Sequence, residues 1–132
     1  MGLALTDEEI RLAMPASPEF VRLARLTAAG VASRVRFTYD EVEDLRIAVG
    51  EACSLLIGSE IRPGNLELVF RTRPDEIVIE VRAMTNGAVT DGPPDGGSAL
   101  SAQILESVVD HFEVGPGAVV LRKRRIDRTG RS

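Results

Sequence analysis

The sequence predicts a two-layer α/β sandwich of the α+β kind, with a mostly antiparallel sheet carrying three helices on one face. Three observations predict it. Period-two and helical apolar patterns follow one another as strand, helix, helix, strand, strand, loop, helix, strand. Consecutive strands are joined by tight turns at Pro74-Asp75 and Gly115-Pro116-Gly117, which favours antiparallel pairing and collects the helices on one side. The 132 residues contain no internal repeat and no linker, so 1–132 reads as one domain that can bury a core without staples.

The elements follow in order. Ile10, Leu12 and Met14 alternate with Arg11 and Ala13 as a half-buried strand that Pro15 ends. Ser17, Pro18 and Glu19 supply a capping hydroxyl, a pre-set φ and an acid at a helix start. Phe20, Leu23, Thr27, Val31 and Val35 then recur at helical spacing, with Arg22, Arg25 and Ala29 on other faces. Thr38 and Glu41 have capping-box spacing, and Val42, Leu45, Val49, Ala52, Cys53 and Leu56 form the stripe of a second helix reaching Ile57. Leu66, Leu68 and Phe70 mark one strand, and Ile77, Ile79 and Val81 the next. Residues 84–97 are rich in Gly, Pro, Asp and Thr and read as a long loop. Ser98 can cap a third helix carrying Leu100, Ile104, Leu105, Val108 and Val109, with His111 at its end. Phe112 to Val114 leads through the glycine turn to a last strand, Ala118 to Leu121, and 123–132 reads as a fraying basic tail.

Composition excludes several function classes. Values of 44% hydrophobic and 27% charged residues rule out a wholly disordered chain. A net charge of -4 argues against a broad nucleic-acid footprint. The lone Cys53 excludes an internal disulfide and a cysteine-cluster zinc site. No stretch approaches the roughly 18 apolar residues of a membrane span. The start, with Thr6, Asp7, Glu8 and Glu9, lacks the basic region of a secretory signal, so a cytoplasmic protein is expected.

The second helix carries the sharpest chemical pattern. Asp44, Ala48, Glu51 and Leu55 share one face, displaced from the apolar stripe. A carboxylate there can serve as a general base or stand solvated, and most helical acids are surface residues. Gly96-Gly97 before a helix can offer N–H groups to a phosphate or simply join loop to helix. Cys53, on the apolar stripe, reads as a buried, inert thiol.

The run PASPEFVRLARLTAAGVASRV followed by DEVEDLRIAVGEACSLLI resembles the first two helices of the anti-sigma factor serine-protein kinases. That family belongs to the GHKL ATPase superfamily, with DNA gyrase and the histidine kinases. The resemblance covers most of the chain in element order, is most specific from Ile10 to Ile57, and implies a GHKL (Bergerat-like) fold. The family's second helix holds a Glu-x-x-x-Asn box, whose Glu is general base toward a serine hydroxyl of a substrate protein. Its Asn coordinates magnesium on the ATP phosphates. Glu51 matches the acid, but Leu55 stands at the Asn position and offers no oxygen to a hard cation. Of the Asp-x-Gly-x-Gly box, only Gly87 in Thr85-Asn86-Gly87-Ala88-Val89 matches; Asp91-Gly92 fits with a shifted loop. The later glycine box is reduced to Gly97-Ser98-Ala99-Leu100.

The resemblance thus implies a degenerate member, with Glu51 as relic base, Gly87 and Gly97 as remnants of cofactor binding, and no metal ligand. Its partners would be an alternative sigma factor and an anti-anti-sigma (STAS-domain) protein, and a homodimer is expected. Arg22 and Arg25 lie near the implied sigma-binding surface. No cofactor is expected, whereas an active kinase would take ATP and magnesium. A structural GHKL-like module for some other partner is the third reading.

Overall fold

The computed structural model describes residues 7–58, 64–89 and 99–126. Six antiparallel strands form one sheet: β1 (Glu8–Pro15), β2 (Asn65–Arg73), β3 (Glu76–Thr85), β4 (Ala88–Val89), β5 (His111–Gly115) and β6 (Ala118–Arg124). The spatial order is β1-β2-β3-β6-β5, with the short β4 paired to the end of β3. Three helices, α1 (Val21–Arg34), α2 (Tyr39–Ile57) and α3 (Ala99–Val108), pack on one face. Leu45, Val49, Ala52, Cys53 and Leu56 of α2 meet Leu66, Leu68, Phe70, Ile79, Val81 and Leu121 of the sheet in the core.

The capping box forms as its spacing predicts. Thr38 Oγ1 accepts the Glu41 amide at 3.1 Å, and Glu41 Oε1 accepts the Thr38 amide at 2.6 Å. Glu41 is 1% exposed, and its second oxygen accepts the backbone N–H of Ile126 beyond β6. One carboxylate therefore fastens the start of α2 to the far end of the chain. Gly58, with φ 73°, ends the helix.

Several expectations are corrected. The buried stripe of α1 is Val21, Ala24, Ala28, Val31 and Ala32, not the one through Phe20, Leu23 and Thr27; Leu23 is 43% exposed. Small alanines let α1 lie close to α2, and that proximity outweighs the burial of the larger leucines. Ser17 makes no capping hydrogen bond, and Pro18–Phe20 forms a 3-10 turn ahead of α1. The loop expected over 84–97 begins as structure: Met84 and Thr85 belong to β3, and Asn86-Gly87 turns into β4. Both turn residues have positive φ, 54° and 79°, as a two-residue hairpin twisted like its strands requires. His111 opens β5 instead of closing α3.

The chain also stays ordered past residue 122. Lys123 is 8% exposed and donates from Nζ to the Val108 carbonyl at 2.9 Å, a cation on the negative end of α3. The Arg124 amide donates to Asp110, the Arg125 amide to the Asp75 carbonyl, and the Ile126 amide to Glu41. These bonds replace the fraying expected from 123. The remainder of that tail, the rest of the 84–97 loop with Gly97, and the Ser98 cap lie outside the described residues.

The helix-free face of the sheet is closed by charge. Glu9, Arg71, Glu80, Arg82, Glu67 and Arg11 alternate in sign around a ring, with contacts of 3.4, 3.7, 2.8, 3.1, 3.3 and 2.8 Å. Strand register explains it: Glu9 faces Arg71, Glu67 faces Arg82, and Val69 lies between Arg11 and Glu80. Val69 is 0% exposed although it stands outside the core cluster, because the six side chains cover it with their stems.

Two consequences are measurable. Thr38→Ala removes one capping acceptor and should cost about 1 kcal/mol. Glu41→Ala also strips the Ile126 amide of its buried acceptor and should cost about 2–4 kcal/mol in urea unfolding. Equal costs would show that the Ile126 bond contributes nothing. The second concerns acid. The Arg82 hydrogen bond holds the Glu80 carboxyl below its ordinary value against the opposing effect of burial. A carboxylate with a folded-state pKa below its unfolded one adds stability above the unfolded value, and that stability is lost as pH falls through the folded one. Glu80→Gln should therefore flatten the fall in stability below pH 4.5, and an unchanged acid limb would contradict the pairing.

Candidate functional site

The outward side of α2 and the neighbouring side of α1 enclose a shallow groove of about 300 Å³. Arg25 lines it from α1, and Glu43, Arg46, Ile47, Gly50, Glu51 and Ser54 from α2. These α2 residues recur at three- and four-residue spacing, so the amphipathic pattern that buries Leu45 and Val49 turns most of them toward solvent, while Gly50 is buried under Arg25.

Glu51, the acid the sequence singles out, is half-buried and bonded within the chain. Its Oε2 accepts the Ser101 hydroxyl of α3 at 2.6 Å. Ser101 is 8% exposed, so the pair bridges α2 and α3 in a largely dry setting. Asp44, two turns earlier on the same face, lies 3.5 Å from Lys123 Nζ. The face carrying Asp44, Ala48, Glu51 and Leu55 is thus the side of α2 turned toward α3 and β6. Ser101 escaped sequence reasoning because it is 50 residues from its partner and sits in no motif.

Leu55 is half-buried and packed against the core. Its side chain supplies no oxygen, so magnesium does not fit at the position where the family's box places its ligand. Among the described residues there is no group of three or more His, Cys, Asp or Glu able to hold a metal ion. Gly87 lies at the exposed tip of the β3–β4 hairpin with open space where a Cβ would stand; the turn alone accounts for it. The structure does not bring Gly87 into the groove with Glu51. Gly97 falls outside the described residues.

Arg22 and Arg25 are exposed on α1, as the sequence suggests, with Leu23 and Leu26 beside them. Leu26 on α1 is 57% exposed and Ile47, which lines the groove from α2, 47%, an apolar component hidden from a reading that placed Leu23 in the core. No described helix is long and apolar enough to cross a membrane.

Cys53 is fully buried, and burial pushes its thiol up to about 12, partly offset by the charge of Arg25. Because the thiolate is the reactive form, an aromatic disulfide reagent near pH 8 should leave Cys53 untouched until urea unfolds the chain. Reaction of the native protein at the rate of a free thiol would overturn this burial.

Comparison with known proteins agrees with the fold. The histidine kinase-like ATPase domain family matches residues 14–122. The serine-protein kinases RsbW of Bacillus cereus strains B4264 and Q1 are 38% and 37% identical, each over 92% of this chain and 87% of the relative. The RsbU and RsbW domains of Rv1364c from Mycobacterium tuberculosis share the fold, with a TM-score of 0.60 over 89% of this chain at 11% identity. This chain spans 32% of that longer one. With the family model matching residues 14–122 and relatives of 37–38% identity over 92% of the chain, it belongs to the anti-sigma factor serine-protein kinase family of histidine kinase-like ATPase domains.

Proposed function

We propose that this chain is a protein-binding regulator that sequesters an alternative sigma factor and yields it to an anti-anti-sigma protein of the STAS type. The observation that carries the reading is the state of α2. Its scaffold is intact, Leu55 stands where a magnesium ligand belongs, and Glu51 is held by Ser101 within the chain. Sequestration works by occlusion: the α1–α2 side, with Arg22 and Arg25, covers the sigma surface that would engage polymerase core. A cytoplasmic homodimer that makes no direct contact with nucleic acid belongs to the same proposal.

One observation favours a second reading. Glu51 remains at the base position, and the relatives are named serine-protein kinases. In an active kinase, Glu51 would accept the proton of a serine hydroxyl on the anti-anti-sigma protein, and ATP with magnesium would be required. Ser101 would first have to leave the carboxylate. Gly87 and Gly97 are the candidate remnants of nucleotide binding in that reading.

The test is calorimetric titration with magnesium-ATP and magnesium-ADP, beside binding of the purified alternative sigma factors of the source organism. Sequestration predicts no heat at millimolar nucleotide and equal sigma affinity with or without it. Charge reversal at Arg22 or Arg25 should weaken sigma binding and leave unfolding unchanged. Clear nucleotide binding, with phosphoryl transfer abolished by Glu51→Ala, would install the kinase reading instead. If no sigma factor binds, sequestration falls.

A further inference from the structure

The ten residues of α3 are held unevenly. Its buried positions are Ser101, Leu105 and Val108, a stripe at spacings of four and three on the side packed against α2. The start of the helix buries little apolar surface. Ala99, Leu100 and Gln103 are exposed, Leu100 by 64%. The end carries Leu105, Val108 and Val109, all buried.

The polar bonds divide in the same way. At the end of α3, Lys123 Nζ meets the Val108 carbonyl at 2.9 Å and Asp44 of α2 at 3.5 Å. Just beyond, the Asp110 amide donates to the Arg122 carbonyl at 3.0 Å, and the Arg124 amide to Asp110 Oδ2 at 2.7 Å. At the start of α3, Ser101 Oγ donates to Glu51 Oε2 at 2.6 Å. Asp44 and Glu51 stand seven residues apart on α2, as Ser101 and Val108 do on α3. The two helices therefore run antiparallel, tied at both ends over two turns.

We infer that α3 is a latched arm: its end at Val108 is a fixed pivot, and the Ser101–Glu51 hydrogen bond latches its first turn onto α2. A ten-residue helix does not hold itself in water, and local stability follows apolar burial, so the first turn is the part that opens most readily. The latch also sets the state of Glu51. The neutral Ser101 hydroxyl leaves the carboxylate its charge but turns Oε2 toward α3. Glu51 also lines the groove beside α1, so a donor entering there has to compete with Ser101 for that oxygen. The contact is autoinhibitory, and it goes beyond the choice between sequestration and kinase activity because it acts on Glu51 in either.

Amide order parameters of the full chain read the latch. Ser101→Ala raises intrinsic helix propensity, so propensity alone predicts a stiffer first turn. The latch predicts the opposite. The amides of Leu100 to Gln103 should fall from about 0.85 to below about 0.6, while those of Val108 and Val109 stay near the rigid value. Glu51→Ala should give the same pattern from the other side of the bond, and the double variant no more than either, because all three lose one interaction. A first turn that stays rigid in both single variants, or effects that add, would overturn the latch. Loosening that extends through Val108 and Val109 would overturn the pivot.

A chemical probe reads the carboxylate itself. A water-soluble carbodiimide with an added amine couples to accessible carboxyl groups. Labelling of Glu51, measured against Glu43 in the same groove, should rise severalfold in Ser101→Ala. An unchanged ratio would overturn the autoinhibitory role of Ser101.

Discussion

The Glu41 carboxylate accepts backbone N–H groups from two distant parts of the chain, Thr38 before α2 and Ile126 after β6. At 1% exposure it is a charge placed where charges are costly, and it persists because both oxygens have donors. The long helix α2 is thereby fixed at its first turn, while Leu45, Val49, Ala52, Cys53 and Leu56 fix its length against the sheet. The rest of the helical face takes its position from α2. Ala24 and Ala28 let α1 approach it, Ser101 ties α3 to Glu51, and Lys123 beneath α3 reaches toward Asp44. A helix held at one end and along one side presents its remaining side in a fixed register, which a recognition surface requires.

The two faces of the molecule treat charge in opposite ways. On the sheet face, six alternating charges satisfy one another around Val69 and cover it. Exposed pairs of this kind add little stability each; their effect here is to shield an apolar position and to blunt the β1 edge of the sheet. On the helical face, Arg25 keeps an unpaired guanidinium among exposed Leu23, Leu26 and Ile47. Mixed apolar and arginine surface is what protein interfaces favour. The asymmetry is what the proposed sequestration by α1 and α2 requires.

Much of this was legible in the sequence because it depends on local chemistry. The capping box at Thr38 and Glu41, the stop at Gly58 and the alternation of β2 and β3 follow from neighbours within a few residues. What failed depended on packing or distance. Weighting the large side chains of α1 placed Leu23 inside, whereas closeness to α2 is worth more and selects Ala24 and Ala28. Asn86-Gly87 is a hairpin signal, but the two-residue strand after it is too short to show a period. Residues 123–126 looked like a basic tail because their acceptors, Val108, Asp110, Asp75 and Glu41, lie on other elements. Gly50 passed unnoticed, since only the structure shows Arg25 lying on it.

The same logic explains how a catalytic box can lose one member and keep the other. The magnesium ligand of the box serves only the bound nucleotide. At that position Leu55 packs against the core, so in the sequestration reading the substitution is compatible with the fold. Glu51 is different: it accepts the buried Ser101 hydroxyl and so joins α2 to α3. Removing it would break the 2.6 Å hydrogen bond between α2 and α3 in a largely dry setting, a cost in stability whether or not any reaction occurs. Retention of an acid at the base position therefore has a structural explanation beside the catalytic one. The departure at Leu55, which no structural demand opposes, is the more informative of the two.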